Sequence, residues 1–123
     1  MADKKANVFI VDDDPSISRA LGRLLKSLGY NSKSFSSAEA FLEGYEMKED
    51  DCLILDIMLP GMDGPELQQE LKNRECNAPI IFITGHGEKK LEEDMLAAGA
   101  HGYLNKPFDE KMLIHLIESA HKH

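Results

Sequence analysis

With 123 residues, 42% of them hydrophobic and 29% charged, the chain has the size and balance of one globular domain and too little length for a second of comparable weight. Its formal net charge of −8 and pI near 5.0 repel phosphate backbones, which argues against a direct grip on DNA or RNA. No apolar run approaches the roughly 20 residues that would span a bilayer.

Short apolar runs alternate with longer segments of helical period. Val8 to Val11 is continuously apolar, as a strand buried on both faces must be. Asp14 stands as an N-cap and Pro15 as the first helical residue; Ile17, Leu21, Leu24, Leu25 and Leu28 then share one face until Gly29 stops the helix. A weak strand follows around Lys33 to Phe35. Ser36 and Glu39 form a capping-box pattern before a helix that buries Phe41 and Leu42. Cys52 to Leu55 is a second interior strand, followed by a helix opening at Pro65 with Leu67 and Leu71 inward. Ile80 to Ile83 is a third, and a helix over about Glu88 to Ala98 ends at Gly99. Tyr103 to Leu104 is the last strand. The final helix starts near Asp109 and places Met112, Leu113, Leu116, Ile117 and Ala120 on one stripe. Five strands alternating with five helices predict an α/β fold, a doubly wound, five-stranded parallel sheet with helices on both faces, over residues 1–123 as one domain.

In such sheets ligands bind beyond the carboxyl ends of the strands, so the residues after each apolar run carry the functional information. These are Asp12, Asp13 and Asp14, then Asp56, Thr84, and Lys106 followed by Pro107. Taken singly, each has an ordinary explanation: a solvated helix N-terminus for the acidic triplet, a turn for Thr84, a surface charge for Lys106. Together they deliver acids, a hydroxyl and an ammonium to one rim. Asp56, at the end of a buried strand near two other acids, needs a shared cation to relieve like-charge repulsion. Hard oxygen ligands in a small cluster suit Mg²⁺, and a carboxylate facing that ion could attack phosphorus to form an aspartyl phosphate. Mg²⁺, Lys106 and Thr84 are the groups able to stabilise charge on the equatorial oxygens.

At this point the chain resembles the receiver domain of two-component response regulators, with VFIVDDDP, LILDIMLPGMDG, IIFITGHG and YLNKPF in the family's order. The resemblance implies a flavodoxin-like receiver fold with Asp56 as phosphoacceptor. Asp12 and Asp13 become the metal-binding acids, joined by Asp56 and the Met58 carbonyl. Thr84 becomes the switch hydroxyl, Lys106 the phosphate-pairing lysine and Tyr103 the switch aromatic, turning inward from a solvent-facing position. The likeness also implies a cis Lys106–Pro107 bond. Met58 and His86 are expected to flank the phosphoryl group and modulate its lifetime. DDDPSISRAL with ITGHG is most similar to the FixJ branch, whose members usually carry a C-terminal helix-turn-helix output domain. None follows within these 123 residues, which leaves a single-domain receiver or a piece of a longer regulator.

A phosphohydrolase of the haloacid dehalogenase type is the rival, with Asp12 as nucleophile in Asp12-x-Asp14. It leaves Asp56 unexplained, and the acids after Lys106 (Asp109, Glu110 and Glu118) fall on the final helix instead of a strand-end metal motif. A flavodoxin-type cofactor domain is disfavoured because three aspartates in the first loop would repel a cofactor phosphate. Cys52 reads as a small buried hydrophobe and Cys76 as a loop thiol, in no CxxC or paired metal spacing. His115, His121 and His123 read as a solvated helix end, and His101 has no evident partner. Gly61, Gly64 and Pro60 read as turn chemistry.

The expectation is a cytoplasmic, Mg²⁺-dependent switch, catalytic only toward its own phosphorylation and dephosphorylation. It would take a phosphoryl group from a histidine kinase or phosphotransfer protein and act on an output domain or partner, or on a second copy by dimerising. The altered surface is expected over the fourth helix, last strand and final helix, Glu88 to His121, with no nucleic-acid or membrane contact.

Overall fold

The computed structural model describes residues 7–45, 51–85 and 89–120. Strands β1 (Asn7–Val11), β2 (Asn31–Phe35), β3 (Cys52–Asp56), β4 (Ile80–Thr84) and β5 (Gly102–Asn105) alternate with helices α1 (Pro15–Ser27), α2 (Ala38–Gly44), α3 (Gly64–Asn73), α4 (Lys89–Ala97) and α5 (Glu110–Ala120). All strand pairs are parallel, in the order β2-β1-β3-β4-β5. This is the predicted doubly wound sheet.

Alternation along the strands sorts the core into two layers. Phe9, Val11, Leu53, Leu55, Phe82 and Tyr103 face one side and pack with Phe41 of α2, Leu67 and Leu71 of α3 and Met95 of α4. Val8, Ile10, Cys52, Ile54, Ile81 and Ile83 face the other, against Leu21 and Leu25 of α1 and Leu113 and Ile117 of α5. Buried on both faces, β3 and β4 have no exposed position, which is why they read as continuous apolar runs. Strand β2 lies at the sheet edge and is largely exposed. Its polar residues made it weak in the sequence, and the strand extends two residues earlier than expected.

Local signals hold at α1: Asp14 caps it by accepting the Ser16 N–H at 2.9 Å, and Pro15 opens it. Gly29 and Gly99 follow α1 and α4 with φ of +88° and +106°, the left-handed conformation that ends helices. Two expectations are corrected. The α2 cap is Ser37, whose hydroxyl accepts the Ala40 N–H at 3.0 Å, so Ser36 and Glu39 form no capping box. The box sits instead at α3, where Asp63 and Glu66 accept each other's N–H at 2.9 and 3.0 Å. Met112 points outward at 51% exposure, leaving Leu113, Ile117 and Ala120 as the buried stripe of α5. Expectations for Glu88, His86, His121 and His123 lie outside the described residues. No helix among the described residues is long and apolar enough to cross a membrane.

Candidate functional site

Strand order reverses between β1 and β3, and their carboxyl ends open the crevice where doubly wound sheets bind ligands. Val11 pairs with Leu55, so Asp12 and Asp56 stand at equivalent next positions on neighbouring strands. By the alternation both continue the face of Ile10 and Ile54. Two like charges placed opposite each other repel, and both residues are buried, at 2% and 5% exposure.

Lys106, following β5, answers that repulsion. Its Nζ donates to Asp12 Oδ2 at 3.0 Å and to Asp56 Oδ2 at 3.1 Å. Its backbone N–H donates to Thr84 O at 2.7 Å, tying the start of this loop to β4. The Lys106–Pro107 bond is cis, as expected. The other carboxylate oxygens are held by the backbone: Asp12 Oδ1 accepts the Asp14 N–H at 2.8 Å, and Asp56 Oδ1 accepts the Met58 N–H at 3.0 Å. Each acid therefore has one oxygen on a fixed amide and one on a side-chain cation.

Burial pushes the Asp12 carboxyl above its usual value, with Asp56 adding to the rise while the Asp14 N–H and Lys106 oppose it. For Lys106 burial works toward a lower value, but hydrogen bonds and attraction from Asp12 and Asp56 outweigh it and hold the ammonium above its usual range. Asp13 is exposed, and carboxylate oxygens of Asp12, Asp13 and Asp56 lie within 4.8 Å of one another. An all-oxygen set with two members buried fits a hard divalent cation such as Mg²⁺.

The remaining candidates are less closely gathered. Thr84 is fully buried at the end of β4, on the Phe82 face of the sheet. Tyr103 is 8% exposed and packs in the layer beneath α2, α3 and α4. The solvent-facing hydroxyl expected for Tyr103 is therefore not the arrangement found: its strand position faces the apolar layer. The Met58 side chain is 60% exposed. His86 lies outside the described residues. His101 does have partners, its Nε2 lying 3.0 Å from Leu116 O and 2.8 Å from Ser119 Oγ, at the far edge of β5.

Sequence reasoning missed two supports of the site. The Met58 and Asp14 amides orient the acids, and each lies two residues beyond the acid it holds, a local turn that an acid at a strand end can signal. Gly64 is more than turn chemistry: a Cβ there would lie 2.6 Å from Asp56 O and 2.9 Å from Ile57 Cα. Only glycine lets α3 start so close to the end of β3.

Residues 8–118 match the family described as the response regulator receiver domain. Response regulator protein TodT of Pseudomonas putida is 38% identical over 122 residues, covering 99% of this chain and 54% of the relative. Transcriptional regulatory protein FixJ of Bradyrhizobium diazoefficiens is 35% identical over 116 residues, covering 94% and 57%. The chain thus spans about half the length of these curated relatives. Among solved structures, FixJ-N superposes with a TM-score of 0.86 at 36% identity, covering 100% of this chain and 97% of that one. These matches give no support to the haloacid dehalogenase reading with Asp12 as nucleophile. The chain belongs to the response regulator receiver domain family and is a phosphoacceptor module of two-component signalling.

Proposed function

We propose that Asp56 is the phosphoacceptor and that Asp12, Asp13, Asp56 and the Met58 carbonyl hold Mg²⁺. The observation that carries this reading is the Lys106 ammonium bridging the Asp12 and Asp56 carboxylates at the topological switch point. In the reaction a carboxylate oxygen of Asp56 attacks phosphorus, the bond to the donor breaks, and the donor leaves with that electron pair. The product is an acyl phosphate that water later hydrolyses, returning Asp56 and phosphate. Bound Mg²⁺ supplies positive charge to the phosphoryl oxygens. Lys106 can then turn from the carboxylates toward the new phosphoryl group, a charge-assisted contact it is already positioned to make.

The donor in this reading is a histidine kinase or phosphotransfer protein of the cytoplasm, and the recipient of the signal is an output domain, a partner protein or a second copy. Thr84 and Tyr103, on one face of adjacent strands, form the coupling pair between the site and the α4, β5 and α5 surface. Residues 1–123 act as one receiver domain whose only chemistry is on itself.

Incubation with acetyl phosphate and Mg²⁺ is expected to add one phosphoryl group, seen as a single mass increment. Asp56→Asn abolishes it because an amide is not a nucleophile toward phosphorus. Full labelling of that variant would place the acceptor elsewhere, with Asp12 the next residue to substitute. Labelling undiminished by excess chelator would remove the metal from the reading.

A further inference from the structure

The loop between β3 and α3 carries Met58, whose N–H orients Asp56. Its two ends are well held. Ile57 N–H bonds Ile83 O at 3.1 Å, Gly64 N–H bonds Ile57 O at 3.0 Å, and the Ile57 and Leu59 side chains are buried. The crest, Pro60 and Gly61, is exposed. Just beyond it the Met62 N–H donates not to its own loop but to Glu39 Oε2, 2.9 Å away on α2.

Three observations make this more than a surface contact. Helix α2 is a fixed base, because Ala38 and Phe41 are fully buried and the Phe41 ring packs edge-on against Phe9 and Phe35 at 5.7 and 5.3 Å. Gly61 has φ +73°, and a Cβ there would lie 2.5 Å from Glu39 Oε2, so the crest is shaped around the carboxylate. The Met62 N–H also holds the Glu39 carboxyl below its usual range, as an amide donating to the ionised form must.

We infer that Glu39 is a positioning residue for the phosphorylation site: by accepting the Met62 N–H it fixes the loop crest, and through the loop it sets Met58 against Asp56. The inference deepens the metal-dependent reading above. If the Met58 carbonyl is a metal ligand, loosening the crest loosens that ligand, whereas Asp12 and Asp13, on a separate segment, are unaffected. Supports of this outer kind change metal affinity while leaving the ligands in place.

The test compares Glu39→Ala with Glu39→Gln, which keeps an acceptor oxygen at nearly the same reach. Glu39 is exposed, so both variants are expected to keep the wild-type urea midpoint. In chelator, hydrogen exchange at the Met58 and Met62 amides is expected to quicken in Glu39→Ala and stay near wild type in Glu39→Gln. In Mg²⁺ titrations followed by amide shifts, Glu39→Ala is expected to bind about three- to tenfold more weakly, below the loss typical of a direct partner of a ligand. Glu39→Gln should fall nearer wild type than Glu39→Ala. Wild-type exchange and Mg²⁺ affinity in Glu39→Ala would overturn the inference, as would a Glu39→Gln variant as impaired as Glu39→Ala. The exchange arm needs neither metal nor phosphorylation, so it separates failure of this inference from failure of Asp56 as acceptor.

Discussion

At the amino-terminal edge of the sheet, Asp51 is 4% exposed and its Oδ1 accepts the Asn7 backbone N–H at 3.1 Å, joining the start of β1 to the approach to β3. At the carboxyl-terminal edge, Asp12 and Asp56 are buried about as deeply, and each gives one oxygen to a backbone amide and turns the other to Lys106. A backbone amide cannot leave without unfolding the segment. A lysine ammonium on four methylenes can rotate away. The same residue type at similar burial thus ties two segments through a backbone amide at one edge and holds a movable ammonium at the other.

The largest way to strain this comparison is Lys106→Met. The variant keeps the apolar stem and leaves two buried carboxylates facing each other without their shared cation. Breaking a fully buried ion pair costs about 3–5 kcal/mol. The Lys106 side chain is 21% exposed, and the solvent it meets reduces the expected loss in metal-free protein to about 1–3 kcal/mol. Urea unfolding in chelator measures it. Added Mg²⁺ is expected to raise the midpoint of the variant more than that of wild type, because the ion replaces a charge that only the variant lacks. Equal Mg²⁺ shifts in the two proteins would mean that the ion and the lysine do not share these carboxylates.

The edges also differed in how far the sequence disclosed them. Asp12, Asp56, Thr84 and Lys106 were legible because each follows an apolar run, and a parallel sheet brings the ends of its strands together. The interior strands were legible because each carries a continuous run of four apolar residues. What stayed hidden depended on contacts across the chain. Glu39 fits a local capping box three residues after Ser36, but its carboxylate is taken by Met62, 23 positions away. The end of α3 was equally opaque: Glu75, with φ +59°, occupies the left-handed position where Gly29 and Gly99 mark the ends of α1 and α4. Tyr103 read as a solvent-facing switch by resemblance, yet strand alternation puts its ring in the apolar layer with Phe82.

A second experiment probes the structural edge through Cys52, the first residue of β3. It is fully buried, and burial pushes its thiol up to about 12 from an ordinary value of 9.0. The folded state therefore holds the thiol proton more tightly than the unfolded state does. The corresponding stability is complete below the unfolded value and is lost as pH rises from about 9 toward 12. Relative to Cys52→Val, which has nothing to ionise, wild type is expected to lose ground only above about pH 9. Urea midpoints of the two proteins from pH 7 to 10.5 check this. At pH 8 the half-buried Cys76 should alkylate while Cys52 stays protected until the protein unfolds. A parallel pH dependence in the two proteins would show that this edge opens more readily than its burial implies.

The smallest effect is expected at the exposed rim of the exchangeable edge. The Met58 amide is fixed on Asp56, but its side chain is 60% exposed, so substituting the side chain should leave the fold and the placement of Asp56 unchanged. A thioether is too weak an acceptor to orient an attacking water, whereas a carboxamide both donates and accepts. Met58→Asn is therefore expected to shorten the lifetime of the acyl phosphate about threefold, roughly 0.65 kcal/mol off the hydrolytic barrier. The decay of labelled protein after removal of acetyl phosphate measures this lifetime, with the urea midpoint as the check that stability has not moved. An unchanged lifetime would mean that water is oriented from elsewhere around the site, and that the rim contributes to the chemistry only through its backbone.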